Sequence, residues 1–147
     1  MHVRAILESS GFFSEAEVVV AEELVQERLA KGLASGYEFL FAERAGNVFG
    51  YACFGPIACT LASYDLYWIA VHETARGDGI GTTLLRNTEA LIAAQGGTRL
   101  YIETASRPQY EPTRQFYRRR GYQPEAILQD FYAPGDDKVI FVKAIQA

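Results

Sequence analysis

Apolar positions along this chain recur first at helical spacing, then at strand spacing, and then in alternating strand and helix blocks. Val3 to Glu8 reads as a short helix that stops before Ser9-Ser10-Gly11. Ser14-Glu15-Ala16-Glu17 is a capping box, with Phe13 and Val18 placed as its hydrophobic staple. A helix should therefore start there, run to about Ala30 and close at Lys31-Gly32. Tyr37 to Arg44 and Asn47 to Ala58 are aromatic and β-branched runs around Ala45-Gly46-Asn47, a hairpin signal. A third strand is predicted over Tyr64 to Val71. The next helix, Thr82 to Ala94, is introduced by Ile80 and carries Leu84, Thr88, Leu91 and Ile92 on the same side, with Gly96-Gly97 at its end. A strand from Arg99 to Thr104 follows, then a helix with Pro112 in its first turn and Gly121 at its stop. Strands near Pro124 to Gln129 and Lys138 to Ile145 close the chain. Antiparallel pairs first and a β–α–β–α run later predict an α+β fold, one twisted, mostly antiparallel sheet with helices on both faces.

Composition narrows the function classes. The 147 residues suit a single domain over 1–147, and 49% apolar content with a net charge of −4 suits an ordinary water-exposed globule. No basic face is evident, which argues against nucleic acid as a partner. Arg118, Arg119 and Arg120 are consecutive, so on a helix they fan around the axis; they read as a solvated helix end favoured by its dipole. Cys53 and Cys59 have neither metal-ligand spacing nor a disulfide framework, and read as small core residues in a reducing compartment. Neither a signal peptide nor a spanning run is visible, so a cytoplasmic protein with no membrane partner is expected.

The chemistry concentrates in Arg76-Gly77-Asp78-Gly79-Ile80-Gly81, between the run Leu66 to Val71 and the helix that follows. Alternate glycines permit a tight turn with unshielded N–H groups. The helix start adds unpaired N–H groups and a positive dipole end, and Arg76 adds a charge at the rim. The result is a socket for phosphate or pyrophosphate. A nucleoside-triphosphate loop would need Gly-Lys-Ser/Thr, whereas Gly81 is followed by Thr82-Thr83. A dinucleotide fingerprint needs G-x-G-x-x-G on the first strand of its unit, and about half of this chain precedes the socket.

Arg76-x-x-Gly79-x-Gly81 after a strand ending Ile69-Ala70-Val71 resembles the acetyl-CoA signature of the GNAT family of N-acetyltransferases. Phe116-Tyr117-Arg118-Arg119-Arg120-Gly121-Tyr122 is similar to that family's tyrosine helix and glycine stop, and the likeness runs over roughly residues 37 to 145. The resemblance implies an acyl-CoA N-acyltransferase fold and direct acetyl transfer from acetyl-CoA to a primary amine, with no metal. It implies that Ile69, Ala70 and Val71 meet the pantetheine and thioester, and that Arg76, Gly77, Asp78, Gly79, Ile80, Gly81 and Thr82 take the pyrophosphate. Tyr117 is then the proton donor to the departing thiolate. Three options stand for the base: Glu103, as in the ribosomal-protein branch; Asp65, six residues before Val71, as in the histone branch; or relayed water. For either acid the alternative role is a hydrogen bond to a nearby loop.

Two departures from the family stand out. Where it often has Asn followed by Ala, this chain has Tyr110 and Thr113, either of which could replace the lost contact to the cofactor. The usual opening strand is missing, which makes Tyr37 to Phe41 an aromatic sheet edge. Either a second copy covers that edge as a homodimer, or the true start lies upstream of Met1. The acceptor region should involve Phe12, Phe13 and the segment Asp130 to Asp137, which suits a cationic small-molecule amine or a plain turn. A protein N-terminus as acceptor, and a non-catalytic acyl-CoA-sensing module, are the competing readings.

Overall fold

The computed structural model describes residues 2–9 and 13–146. Helices α1 (His2–Ser9) and α2 (Glu15–Lys31) precede a hairpin of β1 (Glu38–Arg44) and β2 (Asn47–Pro56). Then come β3 (Ser63–Val71), α3 (Ile80–Ala94), β4 (Arg99–Ala105), α4 (Glu111–Arg119), β5 (Gln123–Ala133) and β6 (Asp136–Ala144). The strands form one sheet in the order β1-β2-β3-β4-β6-β5, antiparallel except for β3 against β4. This is the α+β sheet that the pattern predicts, with β1 at one edge and Phe41 half exposed beside Phe39 and Tyr51.

Local signals explain most boundaries. Ser14 caps α2 through both arms of its capping box, and Phe13 and Val18 join one cluster, as the staple requires. Arg4 ties α1 to α2 through Glu22 at 2.8 Å and Glu15 at 3.0 Å. The β1–β2 turn consists of Ala45 and Gly46, with φ of 53° and 81°. Both lie in the left-handed region that a two-residue type I′ turn demands, where alanine is strained. Ala45→Asn should therefore stabilise the chain by about 0.5–1 kcal/mol, read as a rise of about 1–4 °C in Tm.

Two clusters cover opposite faces of the sheet. Val3, Ile6, Leu7, Val18 and Ala21 pack on Tyr51 and Cys53, while Leu84, Leu85, Ile92 and Tyr117 pack on Phe54, Leu66, Ile102 and Phe141. One expectation fails on α3, which buries Leu84, Leu85, Thr88 and Ile92 and leaves Leu91 more than a third exposed. At about 100° per residue the buried arc centres near Thr88, so Leu91 falls on its margin and Leu85 inside it. Cys53 is buried as expected, but Cys59 is exposed in a turn at φ 64°. β5 is also longer than predicted, reaching Ala133.

Candidate active site

The site begins where two strands part. β3 and β4 pair only from Ser63↔Arg99 to Leu66↔Ile102. Beyond that point β3 stays with β2 and β4 with β6, so a wedge opens in mid-sheet. Tyr67 starts the divergence as the extra residue between Cys53↔Trp68 and Phe54↔Leu66, a bulge that bends β3. The His72 N–H donates to the Phe49 carbonyl at 2.6 Å, toward β2. Strand alternation then turns the backbone groups of Ile69 and Val71 the other way, into the wedge, and those of Ala70 toward β2. All three residues line a cleft of about 1160 Å³.

The start of α3 closes one end of this cleft. Gly77 and Gly79 take φ of 86° and 76°, and no side chain caps the helix. Its first N–H groups are therefore left for another acceptor. Arg76, Gly77, Gly79, Ile80, Gly81 and Thr82 all line the cleft. Asp78 does not; its carboxylate turns away to Arg44 at 3.1 Å. Gly81 serves close approach, since a Cβ there would lie 3.3 Å from the Phe116 ring.

Helix α4 forms a second wall, placed by Arg114. This buried guanidinium donates to the carbonyls of Ala105 (2.7 Å) and Arg107 (3.1 Å) and grips Glu111 at 2.6 Å, locking the β4–α4 connection. Tyr110, Thr113, Phe116 and Tyr117 face the cleft. Tyr117 is 4% exposed, packed against Phe116, Tyr122 and Phe141, and burial pushes its phenol up. Its hydroxyl makes no hydrogen bond among the described residues. The arginine run divides: Arg118 and Arg119 are exposed, as a solvated helix end requires, with Arg118 5.6 Å from the centre of the Phe141 ring, whereas Arg120 turns into the cleft rather than to solvent.

The far end of the cleft carries paired and unpaired charge. Asp65 is pushed up to about 6, first by burial and then by the charge of Glu103, with Lys138 opposing. Glu103 forms an ion pair with Lys138 at 2.9 Å, and Lys138 lies 4.0 Å from the centre of the Phe131 ring. Arg107 pairs with buried Asp136 at 3.2 Å and lies 5.0 Å from the centre of the Tyr110 ring. Tyr132 also lines the cleft, within reach of the charges of Glu103 and Asp136. The segment Asp130 to Asp137 divides its roles. The Asp130 carboxylate accepts from Gly135 N–H and that of Asp137 from Asp130 N–H, which makes the turn, while Tyr132 faces the cleft. Phe13 lines the cleft and packs edge-on against Trp68 at 5.4 Å; Phe12 lies outside the described residues.

Sequence reasoning missed Arg107, Lys138 and Arg120. Lys138 becomes visible only through register: it pairs with Ala105, two residues from Glu103 and on the same face. Among the described residues no group of three or more His, Cys, Asp or Glu side chains could hold a metal, and no helix is long and apolar enough to cross a membrane.

The sequence pattern of the acetyltransferase (GNAT) domain matches residues 35–124. The chain is 30% identical over 146 residues to the uncharacterized N-acetyltransferase MJ1530 of Methanocaldococcus jannaschii, covering 89% of this chain and 88% of that one. A crystal structure assigned to the GNAT family from Desulfovibrio desulfuricans is similar with a TM-score of 0.96 and 45% identity, over 97% of this chain and 90% of that one. An aminoglycoside 6′-N-acetyltransferase complexed with coenzyme A shares the fold at a TM-score of 0.77 and 17% identity, over 99% and 90% of the two chains.

Proposed function

The chain belongs to the GNAT family of acetyltransferases, and from that premise we propose that it moves the acetyl group of acetyl-CoA to the primary amine of a small cationic metabolite. The observation that carries this reading is that one cleft holds both an anion socket, at Arg76 to Thr82, and an acid pair, Asp65 and Glu103. Bound acetyl-CoA supplies the activated thioester. The chain supplies the rest. N–H groups at the start of α3 and the Arg76 charge suit the pyrophosphate, and the backbone groups of Ile69 and Val71 suit the pantetheine amides and the thioester oxygen.

An ammonium near its usual ~10.4 has no lone pair with which to attack, so it must first lose a proton. We assign that proton to Asp65. Its carboxylate pairs with no cation among the described residues and titrates near 6, close to the working range of a general base. Glu103, held by Lys138, is the neighbour whose charge raises Asp65 and helps attract the amine. Tyr117 keeps its proton over the neutral range, because burial disfavours the phenolate, and it gives that proton to the departing sulfur. The aromatic walls, Phe13, Tyr110 and Tyr132, suit a cation carried on a small body.

The first test is thermal. At about a hundred times its dissociation constant, acetyl-CoA should add roughly 2.7 kcal/mol, a rise in Tm of about 5–11 °C, while ATP and NAD leave it unmoved. A screen of small amines for CoA release should then find an acceptor among cationic metabolites. Release with peptide N-termini alone would overturn the small-molecule reading.

A further inference from the structure

Arg120 is held at both its ends. Its carbonyl accepts from Lys143 Nζ at 2.9 Å; Lys143 pairs with Glu89 at 3.0 Å, and Glu89 also accepts the Tyr122 hydroxyl at 2.6 Å. This network joins α3, the end of α4 and β6, and fixes where the arginine leaves the helix. The side chain then crosses Phe116, with Cζ 3.7 Å from the ring centre, and Nη1 donates to the Phe116 carbonyl at 2.9 Å. Nε and Nη2 both donate to Thr82 Oγ1, at 2.9 and 2.6 Å.

That arrangement is unusual for a guanidinium. The Nε/Nη2 edge is a fork that matches two oxygens of a carboxylate or phosphate. Here it converges on one neutral hydroxyl, in the first turn of α3, and Arg120 forms no ion pair among the described residues. Of the other two arginines that line the cleft, Arg107 has a carboxylate partner, whereas Arg76, within the socket itself, forms no ion pair among the described residues. Around Arg120 the nearby charges are those of Arg119 and Arg86, which add to the positive field.

We propose that Arg120 is a binding residue for the pyrophosphate of acetyl-CoA, its fork exchanging the Thr82 hydroxyl for two phosphate oxygens. The inference rests on the reading that this cleft takes acetyl-CoA, and adds to the socket a charge that lies outside the glycine-rich motif. Thr82 is the hydroxyl that holds the fork in place until the ligand replaces it.

Calorimetric titration of the wild type and Arg120→Gln with CoA, dephospho-CoA and pantetheine tests this. Dephospho-CoA keeps the pyrophosphate and lacks the 3′-phosphate; pantetheine lacks all phosphate. The variant should bind CoA and dephospho-CoA equally more weakly, by roughly 10–100-fold, with pantetheine unchanged. Arg120→Lys, which keeps the charge without the fork, should fall between. A loss confined to CoA would move the contact to the 3′-phosphate and overturn the assignment. So would no loss, or an equal loss with pantetheine, the mark of a purely structural role. A wild type that binds no CoA would bring down the functional reading itself, and the inference with it.

Discussion

Tyr117→Phe is expected to lower kcat by about 10²–10³-fold while acetyl-CoA affinity and Tm stay close to wild type. The ring makes the packing contacts, against Phe116, Tyr122 and Phe141, and phenylalanine keeps them. The hydroxyl has no hydrogen-bond partner among the described residues, so its removal leaves no buried group unsatisfied. What is lost is the proton. A thiolate leaving an apolar cleft without one carries its full charge into a medium that solvates it poorly. Rapid-quench measurement of the chemical step, alongside titration with acetyl-CoA, separates the two roles. A variant with unchanged turnover would remove Tyr117 from the mechanism.

Asp65→Asn should lower kcat/KM by about 10²-fold near neutral pH and abolish the acidic limb of the rate profile, which the wild type should show near 6. The same change should raise Tm by a few degrees at about pH 8 and have little effect at about pH 4. The sign follows from linkage. Asp65 titrates near 6 in the fold, above the ordinary carboxylate value, so between those values the folded chain holds a proton that the unfolded chain has lost. Its contribution to stability is whole at low pH, falls as pH rises through that window, and the cost of ionising it is complete above about 6. Asparagine escapes that cost. Should the acidic limb survive in Asp65→Asn and vanish in Glu103→Gln, the base is Glu103.

Most of the fold could be read in the chain because its signals are local. Ser14 and Glu17 announce a helix start through hydrogen bonds spanning three residues, and Ala45-Gly46 fixes a hairpin through its own dihedrals. The glycine turn ahead of α3 was legible for the same reason, since positive φ at Gly77 and Gly79 is a property of those residues. What escaped depends on pairing across the fold. Lys138 meets Glu103 only because β6 lies beside β4, and Arg120 meets Thr82 across 38 positions of sequence. Arg118 to Arg120 look alike in a row; helix rotation sends them to different surroundings. Asp78 stood inside the socket motif, yet the turn that exposes the glycine N–H groups points its carboxylate at Arg44.

The parting of β3 from β4 has a bearing on how such an enzyme diversifies. Beyond Leu66 and Ile102 the wedge presents main-chain groups, which substitutions other than to proline leave in place. On the proposed reading, recognition of the pantetheine arm is thereby written largely into the path of the backbone. The other end is set by side chains: Asp65 on the paired stretch of β3 just ahead of the wedge, Arg107 in the β4–α4 connection, Tyr132 on β5 and Lys138 on β6. On that reading, mutation can exchange the acceptor while the donor half stays constant. A new substrate becomes a matter of a few side chains rather than of a new fold.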